Sequence, residues 1–168
     1  MNISKISRFC FVAVIAGLTT VAVAAVEPPN AKDLIQGKWE LIVAKSKFCN
    51  PAAAPKSADR HIFDAGWGLI VTEWGGTGVD GKPTVNRYVA RYDGGKYPGN
   101  ITRPDTPKSE SISWKLVDPR HLEFVHYDKQ DKITSTYTRE VTADGQTMTQ
   151  VSTFVGRECK DVQVFERR

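Results

Sequence analysis

The sequence has only one long apolar run, residues 9–18 near its start, and nothing later is apolar enough for a membrane span. It also lacks an excess of one charge. Lys and Arg number 23 against 19 Asp and Glu, and no cluster of basic residues forms the stripe that nucleic acid requires. Histidine is scarce: His61, His121 and His126 are the only three, too few and too scattered for a metal signature. No metal or cofactor is expected. Amphipathic helical periodicity is missing at any useful length, which leaves an all-β chain.

What is present begins with an export signal. Lys5 and Arg8 precede the apolar run, and small residues follow up to Ala25. A basic head, a short apolar segment and an Ala-rich exit describe a secretory signal peptide, since roughly 10–15 apolar residues are too few to cross a bilayer. Cleavage after Ala24 or Ala25 satisfies the small-x-small rule. Cys10 leaves with the signal and is not preceded by the small residues of a lipoprotein site. Residues 1–25 are thus expected to be the signal. Residues 26–168 are expected to form one domain with one core, working in the periplasm or outside the cell as a monomer or weak dimer. Loss of Lys5 and Arg8 leaves 21 basic against 19 acidic residues, a charge of +2. Cys49 and Cys159 remain, and two cysteines in an exported chain are expected to pair.

The domain alternates apolar and polar residues between turn signals such as Asp80-Gly81, Asp93-Gly94-Gly95, Asp118-Pro119 and Asp144-Gly145. Strands are expected near 39–44, 60–64, 69–74, 84–92, 111–117, 121–127, 133–141, 148–155 and 162–166. Residues 31–36 predict a turn or so of helix ended by Gly37. Residues 96–109, with three Pro and one Gly, read as the longest irregular connection. Eight or nine antiparallel strands in up-and-down order would expose long edges if flat, so closure into a barrel is expected. Pairing of the last strand with the first then closes it. That pairing sets Trp39 near Arg167 and Leu41 near Phe165, with the guanidinium over the indole. It also brings Cys49 and Cys159 together, across a loop whose closure is worth about 4–5 kcal/mol in the chain-entropy model.

Gly37-Lys38-Trp39 running into a first strand, with an arginine over the tryptophan, resembles the start of a lipocalin-like (calycin) barrel. Further marks are Ala44-Lys45-Ser46-Lys47-Phe48, Asp80-Gly81-Lys82-Pro83, Tyr92-Asp93-Gly94-Gly95-Lys96-Tyr97-Pro98, Thr138-Arg139-Glu140-Val141 and Ala143-Asp144-Gly145-Gln146-Thr147-Met148-Thr149. These resemble a family of small secreted bacterial lipocalin-like proteins. The resemblance implies a container and no particular activity. The cysteine pair and the Trp-rich residues 67–74 depart from that family.

The chemistry-bearing residues lie on the middle strands. Gly76-Thr77-Gly78-Val79-Asp80-Gly81 fits a dinucleotide fingerprint, but Lys82-Pro83 and a strand follow it where a helix is required, so it reads as a hairpin. His121 and His126 differ by an odd number and face opposite sides of one strand, so at most one points inward. His126 shares its side with Leu122 and Phe124. The 133–141 strand places Ile133, Ser135, Tyr137, Arg139 and Val141 on one side. An inward Arg139 needs either an internal carboxylate such as Glu123 or Glu73, the favoured reading, or an anionic ligand head. Trp39, Trp114, Phe124 and Tyr137 fall on inward sides, while Trp67 and Trp74 are placed at turns or rims. Aromatic walls with a few polar groups suit a small apolar ligand; a barrel packed solid with side chains is the alternative.

The first functional expectation is an exported barrel binding a small hydrophobic or amphipathic molecule, lined by Trp114, Phe124 and Tyr137, with Arg139 or His126 orienting a polar end. The second is an isomerase, cyclase or lyase of the same fold, using Tyr137, His126 and a carboxylate. The third is an envelope interaction or inhibitor module presenting residues 96–109 or 67–74.

Overall fold

A computed structural model describes residues 33–99 and 111–168; the expected signal peptide and its cleavage site lie outside them. Ten antiparallel strands make up the described chain: β1 (Gly37–Leu41), β2 (Ser57–Asp64), β3 (Ile70–Thr77), β4 (Pro83–Ala90), β5 (Asp93–Pro98), β6 (Ser111–Asp118), β7 (His121–Tyr127), β8 (Ile133–Val141), β9 (Thr147–Phe154) and β10 (Lys160–Arg167). Their hydrogen-bonded order is β4-β3-β2-β1-β10-β9-β8-β7-β6-β5. The meander curls into a nearly closed barrel whose edges, β4 and β5, share no ladder.

Two expectations are corrected by this order. The strand count is ten, because β5 arises from residues read as a tight turn and the start of an irregular connection. Gly94, Gly95 and Pro98 hide a strand from any propensity argument. An edge strand tolerates them, since a proline there removes no ladder bond and the irregularity between Asp93 and Lys96 absorbs the glycines. The remainder of the expected connection lies outside the described residues. The β1–β10 pairing, in turn, sits mid-ladder, and the opening is at β4/β5, where Tyr88 of β4 reaches inward to within 5.6 Å of the His126 ring. The expected N-terminal helix is also absent among the described residues: Leu34 and Ile35 form a turn, and the helical content is two single-turn 3-10 segments, Val43–Lys45 and Pro51–Ala53. β1 ends at Leu41, earlier than its alternation implies, because the chain turns into the first of these segments.

The β1–β10 register sets Trp39 opposite Arg167 and Leu41 opposite Phe165, as the sequence predicts. Trp39 is 1% exposed and its indole N–H donates to Ile35 O at 2.9 Å. The Arg167 guanidinium lies 4.1 Å from the Trp39 ring centroid and donates to the carbonyls of Leu34, Gln36 and Gly145. Those carbonyls lie outside the strands, in the segment before β1 and in the β8–β9 turn, so one cation over one indole ties two loose segments into a plug. Gly37 makes room for it: a Cβ there would meet Arg167 Nη1 at 2.1 Å, and its φ of 145° disfavours any side chain.

At the opposite end, Cys49 and Cys159 are bonded with Cα atoms 5.6 Å apart. Cys49 N–H donates to Asp161 Oδ1 at 2.7 Å, and Lys47 bridges Val162. The β1–β2 connection is therefore stitched to β10 three ways. Replacing both cysteines with serine is expected to lower unfolding free energy by about 2–5 kcal/mol in urea titrations, with the far-ultraviolet spectrum unchanged. An unaltered midpoint would show that the backbone bonds alone hold this connection.

Candidate functional site

Strand parity decides which side chains reach the barrel interior, and the ladder registers arrange them in rows. Trp114 on β6 stands opposite Phe124 on β7, which stands opposite Tyr137 on β8 and then Ser152 on β9. The next row is Leu116, Leu122, Arg139, Gln150 and Gln163, and the row on the other side is Ile112, His126, Ser135 and Phe154. Together with Arg60, Trp74 and Tyr88 from the other half of the sheet, members of these rows line a cavity of about 540 Å³. The interior is thus not packed solid. One end is plugged by Ile35, Trp39 and Arg167; the cavity wall extends at the other to Phe48, Ala53 and Pro55 of the β1–β2 connection and to the β3–β4 turn.

All five residues singled out in the sequence, Trp114, Phe124, His126, Tyr137 and Arg139, line this one cavity. Phe124 and Tyr137 stack with ring centroids 4.4 Å apart, and His126 tilts against Tyr137 at 4.7 Å. Ser135 Oγ donates to the Tyr137 phenol oxygen at 3.0 Å. Trp74 is a correction: it lies within β3 with its ring on the cavity wall, not at a rim. Trp67 does sit in a turn and is 91% exposed.

Arg139 departs from the favoured expectation. It is 3% exposed, yet neither proposed carboxylate meets it. Glu73 faces outward and pairs with Arg87, in a second concavity of about 570 Å³ over β1–β4 that also borders Arg60 and Trp74. Glu123 is exposed opposite Lys115. The parity that turns Arg139 inward turns its cross-strand neighbours inward too, and those are apolar or neutral. Arg139 Nε instead donates to Gln150 Oε1 at 2.9 Å, and Gln150 passes on to Gln163 Oε1 at 2.9 Å and Ser152 Oγ at 3.2 Å. The guanidinium also lies 4.6 Å from the Phe124 ring centroid.

A second buried arginine was not anticipated. Arg60 is 8% exposed, with its guanidinium 5.0 Å from the Phe165 ring centroid and 5.7 Å from that of Trp74. Its signal was present, since Ala58, Arg60 and Ile62 share one side of β2 and Arg60 pairs with the inward Trp39. Burial pulls Arg60 down to about 10 and Arg139 well below the ordinary arginine range, the latter helped by the charge of Arg60. Among the described residues, Arg60 Nε, Arg139 Nη1 and Trp74 Nε1 are buried without a hydrogen-bond partner. Three donors, two of them cationic, therefore contribute to one aromatic cavity with no acceptor for these N–H groups. A buried donor left unmet costs about 1–3 kcal/mol, and more when charged.

Burial holds His126 down at about 4, reinforced by Arg139 and Arg60, and raises the Tyr137 phenol. Both are neutral near pH 7. Among the described residues no group of His, Cys, Asp and Glu is arranged to hold a metal ion, and no helix is long and apolar enough to cross a membrane.

The class defined by this geometry is an all-β, antiparallel, nearly closed barrel. No protein-family model matches the chain, and no curated protein does. Solved structures do. Fatty-acid-binding protein 1 of Echinococcus granulosus is 13% identical with a TM-score of 0.57, over 80% of this chain and 97% of that one. A Schistosoma mansoni fatty acid binding protein in complex with arachidonic acid is 13% identical at 0.57, over 81% and 97%. The wild-type fluorescent protein UnaG is 14% identical at 0.56, over 79% and 96%. At such identities the likeness is one of fold.

His126 provides a pH test. Its folded pKa lies below the ordinary value of 6.5, so between about 4 and 6.5 the unfolded chain binds more protons and stability rises with pH. Stability is expected to fall as pH drops through that window, and His126→Gln should flatten this part of the profile. In proton NMR, a His126 ring that titrates near 6.5 would contradict the burial that lowers it.

Proposed function

We propose that this protein is an exported binding protein of the small bacterial lipocalin-like kind, cleaved near Ala24 or Ala25, that carries a small amphipathic molecule with an acidic group inside its barrel. The observation that supports this reading is the set of unpartnered donors on Arg60, Trp74 and Arg139 in the wall of an aromatic cavity. An acidic head supplies the missing acceptors, while the apolar body lies against Trp114, Phe124, Tyr137 and Phe154. Cavities of roughly 300–1,000 Å³ suit single small ligands, and about 540 Å³ falls in that span. A similar barrel, the Schistosoma mansoni protein, was solved with arachidonic acid, an apolar chain bearing one acidic group.

The enzyme reading has weaker support. Tyr137 and His126 are in ring contact, but the phenol oxygen is engaged by Ser135 and is raised in pKa, and His126 is a weak base. Proton transfer needs a poised acid and base, and the two carboxylates on the cavity wall, Asp80 and Asp161, are engaged by Lys82 and by the Cys49 N–H. For the interaction-module reading, only the exposed Trp67 speaks, and most of the other candidate segment lies outside the described residues.

Native mass spectrometry of protein purified from its own envelope should reveal a co-purified acidic amphipath, and titration with an anionic apolar dye should show saturable, competable binding. Arg139→Met is expected to weaken dye binding by about tenfold to a hundredfold, the range for losing a hydrogen bond to a charged group. The same substitution should leave the unfolding midpoint equal or higher, because it removes a buried charge that has no ionic partner. Unchanged dye affinity in Arg139→Met would overturn the assignment of the head group to this arginine.

A further inference from the structure

Resting on that reading, we infer that the molecule carried in the barrel bears two negative charges, supplied either by one phosphate-monoester head or by two carboxylates, and that Arg60 and Arg139 each answer one of them.

The charge balance of the cavity carries this. Arg60 and Arg139 project from β2 and β8, in opposite halves of the sheet order, yet line the same volume. Neither takes part in any ion pair among the described residues. The cavity wall does contain two carboxylates, and both are committed elsewhere. Asp80 belongs to the β3–β4 turn, 3.8 Å from Lys82 Nζ, and receives the Lys82 backbone N–H at 3.0 Å. Asp161 Oδ1 receives the Cys49 N–H at 2.7 Å beside the disulfide. Among the described residues no carboxylate offsets the loss of hydration at either guanidinium; the opposing influences are tyrosine phenols, which are neutral near pH 7.

A single negative charge would neutralise one arginine and leave the other as an uncompensated buried cation. A dianion removes both. The donors supply the contacts for such a ligand: Arg60 Nε, Arg139 Nη1 and Trp74 Nε1 are three unmet N–H groups among the described residues, and Tyr137 offers a phenol on the same wall. One carboxylate, with about four lone-pair sites, suffices for them by number, so it is the charge count that calls for a doubly charged ligand.

The test compares three probes of equal chain length on the intact wild-type protein: dodecanoate, dodecanedioate and dodecyl phosphate. Calorimetric titration is done below micelle-forming concentrations and at about pH 8, where a phosphate monoester, with its second pKa at about 6, is doubly ionised. At least one dianion is expected to bind about tenfold or more tightly than dodecanoate, the lower bound measured for a close buried charge pair. Preference for the phosphate places both charges on one head, and preference for the dicarboxylate places them at two ends. Arg60→Met and Arg139→Met should each cost the preferred dianion more than dodecanoate; matching thermal midpoints check that the variants are folded. Dodecanoate binding as tightly as both dianions would overturn this inference and leave the acidic-amphipath reading standing. Failure of all three probes to bind would overturn both.

Discussion

The pairing of β1 with β10 joins the two ends of the described chain, and most of the rest depends on it. It makes one continuous ladder of two four- and six-strand runs, β1–β4 and β5–β10. Each residue of that register has a second consequence. Opposing Trp39 and Arg167 plugs one end, and opposing Leu41 and Phe165 extends the core beneath the plug. Continuing past Leu41, the chain meets β10 again at Val162 and then at Cys159. Hydrophobic burial, a cation over an aromatic ring and a covalent bond thus act along one line. With its ends joined in mid-ladder, the sheet leaves its gap between β4 and β5, which are neighbours in sequence.

A barrel interior usually gains stability by filling with apolar side chains, and here much of it does. Ile35, Trp39, Ile62, Ile112, Leu122, Met148 and Phe165 are fully or nearly fully buried in one cluster. Two positions depart from that pattern. Arg60 and Arg139 sit against aromatic rings, with amide and hydroxyl groups from Gln150, Ser152 and Gln163 beyond Arg139. Ring faces and amide oxygens soften the burial of a guanidinium without neutralising it. Stability alone does not account for two such groups in a chain that could place leucines there. The proposed recognition of an acidic molecule would.

Much of this was legible. Alternation with turn residues at short intervals gave nine of the ten strands, because a half-buried strand cannot avoid a period of two. β5 escaped because an edge strand needs no strand-like composition. Parity on β6, β7 and β8 identified Trp114, Phe124, His126, Tyr137 and Arg139 as one wall, since each belongs to a long, cleanly alternating strand. Arg60 escaped although its strand alternates, because a single basic residue in a short segment looks like an exposed one. Its burial follows only from its position opposite Trp39.

The sequence by itself determined the all-β class, the partnership of first and last strands, the disulfide and the side of each middle strand that faces inward. These depend on period and topology, which are properties of the chain's order. Only the tertiary structure decided that the ladder opens between β4 and β5, that the interior keeps a cavity, and that neither buried arginine has a carboxylate partner among the described residues. Such facts turn on distances between side chains from strands far apart in sequence, such as β2 and β8. A parity rule says that Arg139 points inward; it does not say what waits there.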